Sequence, residues 1–169
     1  MNHNYTIKER DILLRPVVEQ DIESMRNWRN SDWARNFFLD SSIITKEQQQ
    51  KWFENYLEKT DDFMFIIEWQ GKAVGMVGIY NVNKKPGHAE FGRLLIGEEL
   101  ARGKGIGKKT VELLSKFAMQ ELKIKQIDLE VFADNERALA IYQKCGYVIT
   151  NEYQINNRKV YQMALIGES

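Results

Sequence analysis

The sequence predicts an α+β fold in which a mixed sheet of six to seven strands carries helices on both faces. Apolar residues recur at helical spacing in some segments, and short apolar runs bounded by turn residues lie between them. The 169 residues include only two prolines and no linker-like stretch, which predicts a single domain over residues 1–169. The predicted order of elements is β-α-α-β-β-β-α-β-α-β-β.

The first half of the chain is predicted to supply one strand, two helices and a hairpin. Thr45 and Gln48 form a capping-box pattern ahead of the second helix, and Gln70-Gly71-Lys72 separates two apolar runs as a hairpin turn does. Residues 1–10 are expected to be a loose arm or the lead-in to the first strand. In chain order the predicted elements are a strand at 11–17, a helix at 21–30, a loop at 31–44, a helix at 46–59, and strands at 63–69 and 73–80.

The second half is predicted to supply a strand, a long helix, a second strand, a short helix and a final hairpin. The apolar face of the long helix consists of Val111, Leu114, Phe117, Ala118 and Leu122. Asp134-Asn135 can cap the short helix, and Gly146 suits the position after its end. The predicted boundaries are a strand from about residue 89, a strand at 126–133, a helix through 143, and strands at 147–153 and 159–166.

A glycine-rich turn, Arg102-Gly103-Lys104-Gly105-Ile106-Gly107, stands between the first of these strands and the long helix. N–H groups at a helix start have no intrahelical partner and lie at the positive end of the helix dipole, so they suit phosphate oxygens. A P-loop would need glycine five residues after Gly103, and a dinucleotide fingerprint would need it there too, but Lys108 occupies that position. The turn is therefore a phosphate site of another kind.

The Arg-x-x-Gly-x-Gly pattern at 102–107 resembles that of the GNAT superfamily of acyl-CoA-dependent N-acyltransferases, and the order of elements does so too. Leu129-Glu130-Val131-Phe132-Ala133-Asp134-Asn135, continued by Ala138, Tyr142, Gly146 and Tyr147, resembles the fifth strand and following helix of that family. The resemblance implies an N-acetyltransferase with acetyl-CoA as co-substrate and no metal. The CoA-binding residues that it implies are Leu94, Leu95 and Ile96 near a bulge in the fourth strand, the turn residues Arg102, Gly103, Lys104, Gly105, Ile106, Gly107 and Lys108, and Asn135 and Tyr142.

Tyr142 is predicted to be the general acid, because acetyl transfer from CoA expels a thiolate. In the family, an asparagine at this strand end bonds the pantetheine arm, and a tyrosine seven residues later faces the thioester sulfur. Asn135 and Tyr142 stand at these positions, two helical turns apart and so on one face. A phenol with a pKa of about 10 remains protonated at neutral pH and can donate as charge builds on sulfur.

Two carboxylates are candidates for the base that accepts the amine proton. Glu130 alternates with an apolar set along its strand, so it can point into a cleft. Its spacing of twelve residues before Tyr142 resembles the base-to-acid spacing of ribosomal-protein N-terminal acetyltransferases. Glu90 lies on the strand that lines the acetyl group in the family. Either can act directly or through water. The sequence leaves the choice open, and neither His3 nor His88 lies in a motif typical of a base.

The acceptor is predicted to meet the first helix and the loop after it, through Trp28, Arg29, Asn30 and Arg35. This Trp-Arg-Asn run and the later Trp52-Phe53 resemble N-acetyltransferases that act on UDP-4-amino-4,6-dideoxy sugars, of the pseudaminic-acid pathway type. A nucleotide sugar is thus the expected small-molecule amine. Ribosomal-protein N-terminal and polyamine acetyltransferases are alternatives that keep the chemistry, and a non-catalytic acyl-CoA-binding module is an alternative of another class.

Composition excludes other functions. Acidic and basic residues balance at 24 each, so neither nucleic acid nor a membrane surface is expected as a partner. The single cysteine, Cys145, is expected to be a buried spectator and agrees with a reducing compartment. No apolar run of 18 residues and no signal-peptide core is present, so a cytoplasmic location is expected. A homodimer is compatible with the sequence.

Overall fold

The computed structural model of the protein describes residues 1–167 and shows one mixed sheet with helices on both faces. The strands are β1 Ile7–Glu9, β2 Ile12–Pro16, β3 Phe63–Trp69, β4 Lys72–Asn83, β5 His88–Ile96, β6 Gln126–Phe132, β7 Val148–Ile155 and β8 Arg158–Ile166. The helices are α1 Ile22–Asn30, α2 Asp32–Arg35, α3 Lys46–Leu57, α4 Ile106–Gln120 and α5 Glu136–Lys144. The strand order is β1-β2-β3-β4-β5-β6-β8-β7; β5 and β6 are parallel, and the other neighbouring pairs are antiparallel.

The α+β class is confirmed, but the sheet has eight strands rather than six to seven. Residues 7–9, expected in a loose arm, pair with β2 because a left-handed backbone at Arg10, with φ of 53°, reverses the chain. The stretch 31–44, expected to be a loop, contains the short helix α2. Ser31 caps this helix by accepting a hydrogen bond from the Ala34 N–H at 3.2 Å.

The two faces of the sheet belong to separate cores. Along β3, Phe65 and Ile67 pack with the apolar side of α4, whereas Met64 and Ile66 pack with α1 and α3. This alternation follows from the two-residue period of a strand. We call the two sides the α4 face and the α1 face. No helix within residues 1–167 is both long and apolar enough to cross a membrane.

A notch opens in the sheet where β5 and β6 separate. The two strands pair only from His88 to Glu90, although both continue beyond. In β5 an extra residue stands between the pairs Gly78–Gly92 and Met76–Leu95, which makes a bulge. Arg93 lies in the bulge with φ of 59°. Backbone groups of β5 that would pair with β6 therefore face the notch without a strand partner, so they remain free to bind a ligand.

Trp28 packs against Gly97, which follows β5 at one end of the α1 face. Its ring is 6% exposed, and its Nε1 donates to Glu98 Oε1 at 2.7 Å. A Cβ added at Gly97 would lie 2.1 Å from Trp28 Cγ. We expect Gly97→Ala to lower the free energy of unfolding by about 1–3 kcal/mol, because the indole must leave its packed position. Urea denaturation measures this change.

Gly107→Ala is the matched control. Its added Cβ would lie 3.9 Å from the nearest atom, Ile141 Cδ1, and alanine suits helical backbone. We expect this variant to be as stable as the parent or slightly more so. An equal loss of stability in both variants would contradict the close packing of Trp28 on Gly97.

Candidate active site

A cavity of about 690 Å³ runs through the notch between β5 and β6. On the α4 face it is lined by the glycine turn and by Ala138, Ile141 and Tyr142 of α5. On the α1 face it is lined by Tyr80, Glu90, Arg93, Glu130 and part of the loop after α2. Because the cavity reaches both faces, two reactants entering from opposite sides of the sheet can meet in the notch.

The glycine turn brings bare backbone N–H groups to the edge of this cavity. Gly105 directly precedes α4 in a left-handed conformation with φ of 79°, and a Cβ there would find no atom within 4 Å. The N–H groups of Ile106, Gly107 and Lys108 open the first turn of α4, where no intrahelical acceptor exists. This combination of open space and unpaired donors fits a phosphate or diphosphate group.

Arg102 fastens the turn to the end of β5. Its Nε and Nη2 each lie 3.1 Å from a carbonyl oxygen, those of Ile96 and Gly97 respectively. Its Cζ also lies 3.4 Å from the ring centroid of Trp33. Arg102 lines the cavity, but these contacts hold its guanidinium in a structural position.

Other basic side chains surround the same turn. Lys108 lines the cavity, as the sequence suggested, whereas Lys104 is exposed and does not line it. Sequence reasoning missed Arg137 on α5, whose Nη2 lies 3.8 Å from the position of a Cβ at Gly103. Arg137 also lines the cavity. Only the packing of α5 beside the turn, which no local motif encodes, brings it there.

Tyr142 projects from α5 into the α4-face side of the cavity. Its ring is 8% exposed and packs edge-on against Phe91 and Tyr147, with centroids 6.0 Å apart in both pairs. Burial raises the pKa of the Tyr142 phenol above its ordinary value, and the neighbouring Tyr147 adds to this rise. The hydroxyl is therefore protonated at neutral pH and can act as a donor.

Asn135 caps α5 and also lines the cavity. Its Oδ1 accepts a hydrogen bond from the Ala138 N–H at 3.3 Å. Because the cap uses the side-chain oxygen, the amide nitrogen is left as a donor for a ligand. The capping role and the predicted pantetheine contact are thus compatible.

Glu90 and Glu130 line the cavity from the two strands that border the notch, on the α1 face. Asn81 donates a hydrogen bond to Glu90 Oε2. Tyr153 donates to Glu130 Oε2 at 2.6 Å, and Gln162 donates to Glu130 Oε1 at 3.4 Å. Burial and then the hydrogen bond to Glu130 raise the pKa of Tyr153 to about 12, so Tyr153 holds its proton and orients this carboxylate.

The two histidines are occupied away from the cavity. His88 pairs with Asp128 at the closed end of the notch. His3 Nε2 lies 2.8 Å from the carbonyl oxygen of Met64, and burial lowers the pKa of His3. Neither of them lines the cavity, which agrees with leaving both out of the candidate bases.

Three of the four residues predicted to contact the acceptor are used to build the site instead. Trp28 is a core residue on Gly97 and lines neither cavity described here, so its placement in the acceptor pocket needs correction. Asn30 clamps the loop after α2, since its amide exchanges two hydrogen bonds of 2.8 Å with the backbone of Ile44. Arg35 donates to the Ser41 carbonyl at 2.9 Å. The contacts of Asn30 and Arg35 are made to a loop without regular period, and no local pattern predicts them.

Arg29, the fourth, lies where the first cavity adjoins a second one of about 550 Å³ on the α1 face. Its Cζ lies 3.7 Å from the ring centroid of Phe38, and its Nη2 donates to the Asp40 carbonyl. Its Nη1 is buried and has no hydrogen-bond partner within residues 1–167. Burial lowers the pKa of Arg29. A buried N–H without a partner is unfavourable until a bound group accepts its hydrogen bond.

Arg93 is the main site residue that sequence reasoning missed. It lines both cavities, and its Nη1 donates to the two oxygens of the buried Asp62 carboxylate at 2.8 and 3.1 Å. Its Cζ lies 4.0 Å from the ring centroid of Tyr80. The sequence contains one indication of this close packing, the glycine at residue 92, where a Cβ would lie 2.3 Å from Tyr80 Oη.

The chain belongs to the family defined by the acetyltransferase (GNAT) domain, whose sequence pattern matches residues 11–148. It is therefore an acetyl-CoA-dependent N-acetyltransferase, as the resemblance of its motifs implied. This sets aside the alternative of a non-catalytic acyl-CoA-binding module.

The similar proteins are named as acetyltransferases, and some of these names state spermidine as the acceptor. Spermidine N(1)-acetyltransferase of Escherichia coli K12 is 22% identical over 141 residues, which are 83% of this chain and 75% of that protein. Acetyltransferase PseH of Campylobacter jejuni strain 81-176 is 27% identical over 133 residues, 79% of this chain and 80% of PseH. The structure of Vibrio cholerae spermidine N-acetyltransferase with CoA and spermine superposes with a TM-score of 0.83 at 20% identity, covering 94% of this chain and 96% of that one. That likeness shows the shared fold.

Proposed function

We propose that the acceptor is an amine that also carries an anionic group, namely a nucleotide-linked amino-dideoxy sugar acetylated at its 4-amino group. The observation that carries this proposal is Arg29, which borders both cavities on the acceptor side and whose buried Nη1 has no hydrogen-bond partner among residues 1–167. A diphosphate oxygen would satisfy this donor with a charge-assisted hydrogen bond. The resemblance of the run at residues 28–30 to N-acetyltransferases of UDP-4-amino-4,6-dideoxy sugars agrees with this acceptor, and Arg29 is the residue of that run that lines the cavities.

Acetyl-CoA supplies the activated acetyl group when it is bound, and residues of the α4 face fit it. In our proposal its diphosphate lies on the N–H groups of residues 103–108, with Lys108 and Arg137 as neighbouring cations. Asn135 then holds the pantetheine arm on its way into the notch. This placement rests on the open space at Gly105, the free first turn of α4 and the continuous cavity from the turn to Tyr142.

The reaction is proposed to be a direct transfer, with each reactant entering from its own face of the sheet. Glu90 or Glu130 accepts the proton of the amine on the α1 face, directly or through a water molecule. Free backbone N–H groups around Leu94–Ile96 donate to the carbonyl oxygen as it gains negative charge. Tyr142 donates its proton toward the departing thiolate from the α4 face.

A polyamine is the second candidate acceptor, because Glu90 and Glu130 give the notch two carboxylates and because spermidine acetyltransferases are among the similar proteins. We place it second because the buried Nη1 of Arg29 has no acceptor within residues 1–167, and the protonated amines of a polyamine offer only donors. A peptide N-terminus is the third candidate acceptor. The spacing from Glu130 to Tyr142 and the fold shared with a ribosomal L7/L12 α-N-protein acetyltransferase agree with it, but a peptide amine brings no anionic group to Arg29.

A thiol-release assay with acetyl-CoA tests this proposal on three acceptors: a UDP-4-amino-4,6-dideoxy sugar, spermidine and an N-terminal peptide. We expect the highest kcat/KM for the nucleotide sugar. We expect Arg29→Gln to raise the KM for this sugar by about 10- to 100-fold, since a charge-assisted hydrogen bond is lost, and to change kcat much less.

Lys116→Gln is the control for the loss of one positive charge, because Lys116 is exposed on α4, on the other face of the sheet. It should leave the KM for the sugar unchanged. A higher kcat/KM for spermidine, or an unchanged KM in Arg29→Gln, would refute the proposed acceptor.

A further inference from the structure

The second cavity contains a buried amide for which the reaction described above has no use. Gln49 of α3 is 7% exposed and lines this cavity. Within residues 1–167 its side chain makes no hydrogen bond, whereas the neighbouring Gln48 amide is engaged in the cap of α3. The amide atoms of Gln49 keep access to the cavity, so a ligand bound there can complete their hydrogen bonds.

The chemistry of an amide restricts what this ligand offers. A glutamine side chain presents a carbonyl oxygen acceptor beside an NH2 group, one of whose two N–H donors lies on the same edge as the oxygen. Its complement is a group with a donor next to an acceptor, and nucleobase edges have this arrangement. The imide edge of uracil is one such group.

The other walls of the second cavity suit a flat ring. Trp52 lines it and stacks on Tyr56, with centroids 5.1 Å apart and an interplanar angle of 12°, which holds the indole in place. Three further walls are the thioether side chains of Met25, Met64 and Met76. Rigid aromatic and polarisable thioether surfaces favour contact with a planar ring.

Arg29 connects this cavity to the notch. It lines both cavities, and its Nη1 has no partner in the described part of the chain. An anionic linker beside it would leave one end of a ligand near Glu90 and Glu130 and the other near Gln49. The order of groups along the two cavities is then amine, anion and ring.

We propose that the second cavity binds the base of the nucleotide-linked acceptor and that Gln49 recognises the imide edge of that base. This inference rests on the proposed function, since it assigns a place to one part of the same acceptor. Gln49 is thereby a specificity-determining residue that does not touch the reacting atoms.

Calorimetric titration of UDP tests this inference on the full chain with the donor site filled by saturating CoA, so that UDP does not occupy the glycine turn. The variants are Gln49→Met, which keeps the volume and removes both hydrogen-bonding groups, and Gln50→Met as the control. Gln50 is the adjacent glutamine and lines neither cavity. We expect the Kd of UDP to rise about tenfold in Gln49→Met and to stay the same in Gln50→Met.

A second arm uses UDP methylated at N3, which blocks the donor of the imide edge. The parent protein should bind it about tenfold more weakly than UDP, whereas Gln49→Met should bind the two ligands equally, since the partner of that donor is already gone. An equal effect of methylation in both proteins, or no binding of UDP to the parent protein, would overturn the inference. If Gln49→Met does not fold, equal binding of UDP and its methylated form to the parent protein would still overturn the inference.

The two proposals fail in distinguishable ways. If the amino sugar is acetylated with an Arg29-dependent KM while Gln49→Met leaves both this KM and the Kd of UDP unchanged, only the recognition by Gln49 is wrong. If the amino sugar is not a substrate, the assay with three acceptors shows this separately.

Discussion

Replacement of Tyr142 by phenylalanine is expected to lower kcat by about 10²- to 10⁴-fold, the range that a positioned general acid contributes. The ring would keep its edge-on contacts with Phe91 and Tyr147, so the fold and the shape of the cavity should persist. Only the proton donor to the departing thiolate is lost. The Kd of acetyl-CoA, measured by calorimetry, should therefore stay within about twofold of that of the parent protein.

Tyr147→Phe is the matched control, because Tyr147 is also buried but lies outside the cavity, with its hydroxyl 2.9 Å from Ser115 Oγ. Its kcat should match that of the parent protein at a temperature where both are folded. A parent-like kcat in Tyr142→Phe, or a loss confined to acetyl-CoA binding, would contradict the role of Tyr142.

The pH dependence belongs to the same prediction. Because burial raises the pKa of Tyr142, its proton is retained throughout the neutral and mildly alkaline range. Ionisation of Tyr142 should therefore cause no fall in the kcat of the parent protein as the pH rises through this range. Any fall that is observed should also occur in Tyr142→Phe. Activity that falls on acidification would instead report protonation of the amine or of the carboxylate base.

Gly105→Asp is expected to raise the Kd of CoA by about 10- to 100-fold more than Gly105→Asn does. A Cβ at residue 105 would have no atom within 4 Å, and residue 105 lines the cavity at the place proposed for the diphosphate, so a carboxylate there would lie close to the phosphate charges. The backbone there has φ of 79°, which asparagine and aspartate both tolerate better than most residues. The two variants share shape and backbone strain, so the difference between them isolates the negative charge.

Calorimetric titration of CoA into both variants measures this difference, and titration at high salt should reduce it because charge repulsion is screened. Thermal unfolding serves as the control that both variants fold equally well. Equal affinities of Gly105→Asp and Gly105→Asn for CoA would show that the diphosphate lies elsewhere.

The central part of the fold was predictable because its signals are local. The boundaries of β3 match the prediction, and the capping box of Thr45 and Gln48 starts α3 as expected. The strand β1 was not predictable, since three residues carry too little periodicity and their pairing depends on the reversal at Arg10. The bulge at Arg93 was not predictable either, because nothing in the sequence indicates a positive φ at an arginine.

The donor side of the candidate site follows from two motifs that are each continuous in the chain, the glycine turn and the segment from β6 into α5. Their residues meet in one cavity because β5 and β6 are adjacent parallel strands. The acceptor side is built by contacts between distant parts of the chain, such as Trp28 on Gly97 and Arg93 on Asp62. Residue type alone suggested an aromatic and basic pocket there but did not separate Arg29, the proposed ligand contact, from the structural residues around it.

A crystal structure with bound acetyl-CoA is the most direct test of how the donor is held. We expect the diphosphate on the backbone N–H groups of residues 103–108 and the thioester sulfur within hydrogen-bonding distance of Tyr142 Oη. A diphosphate bound away from this turn, or a sulfur out of reach of the Tyr142 hydroxyl, would contradict the account.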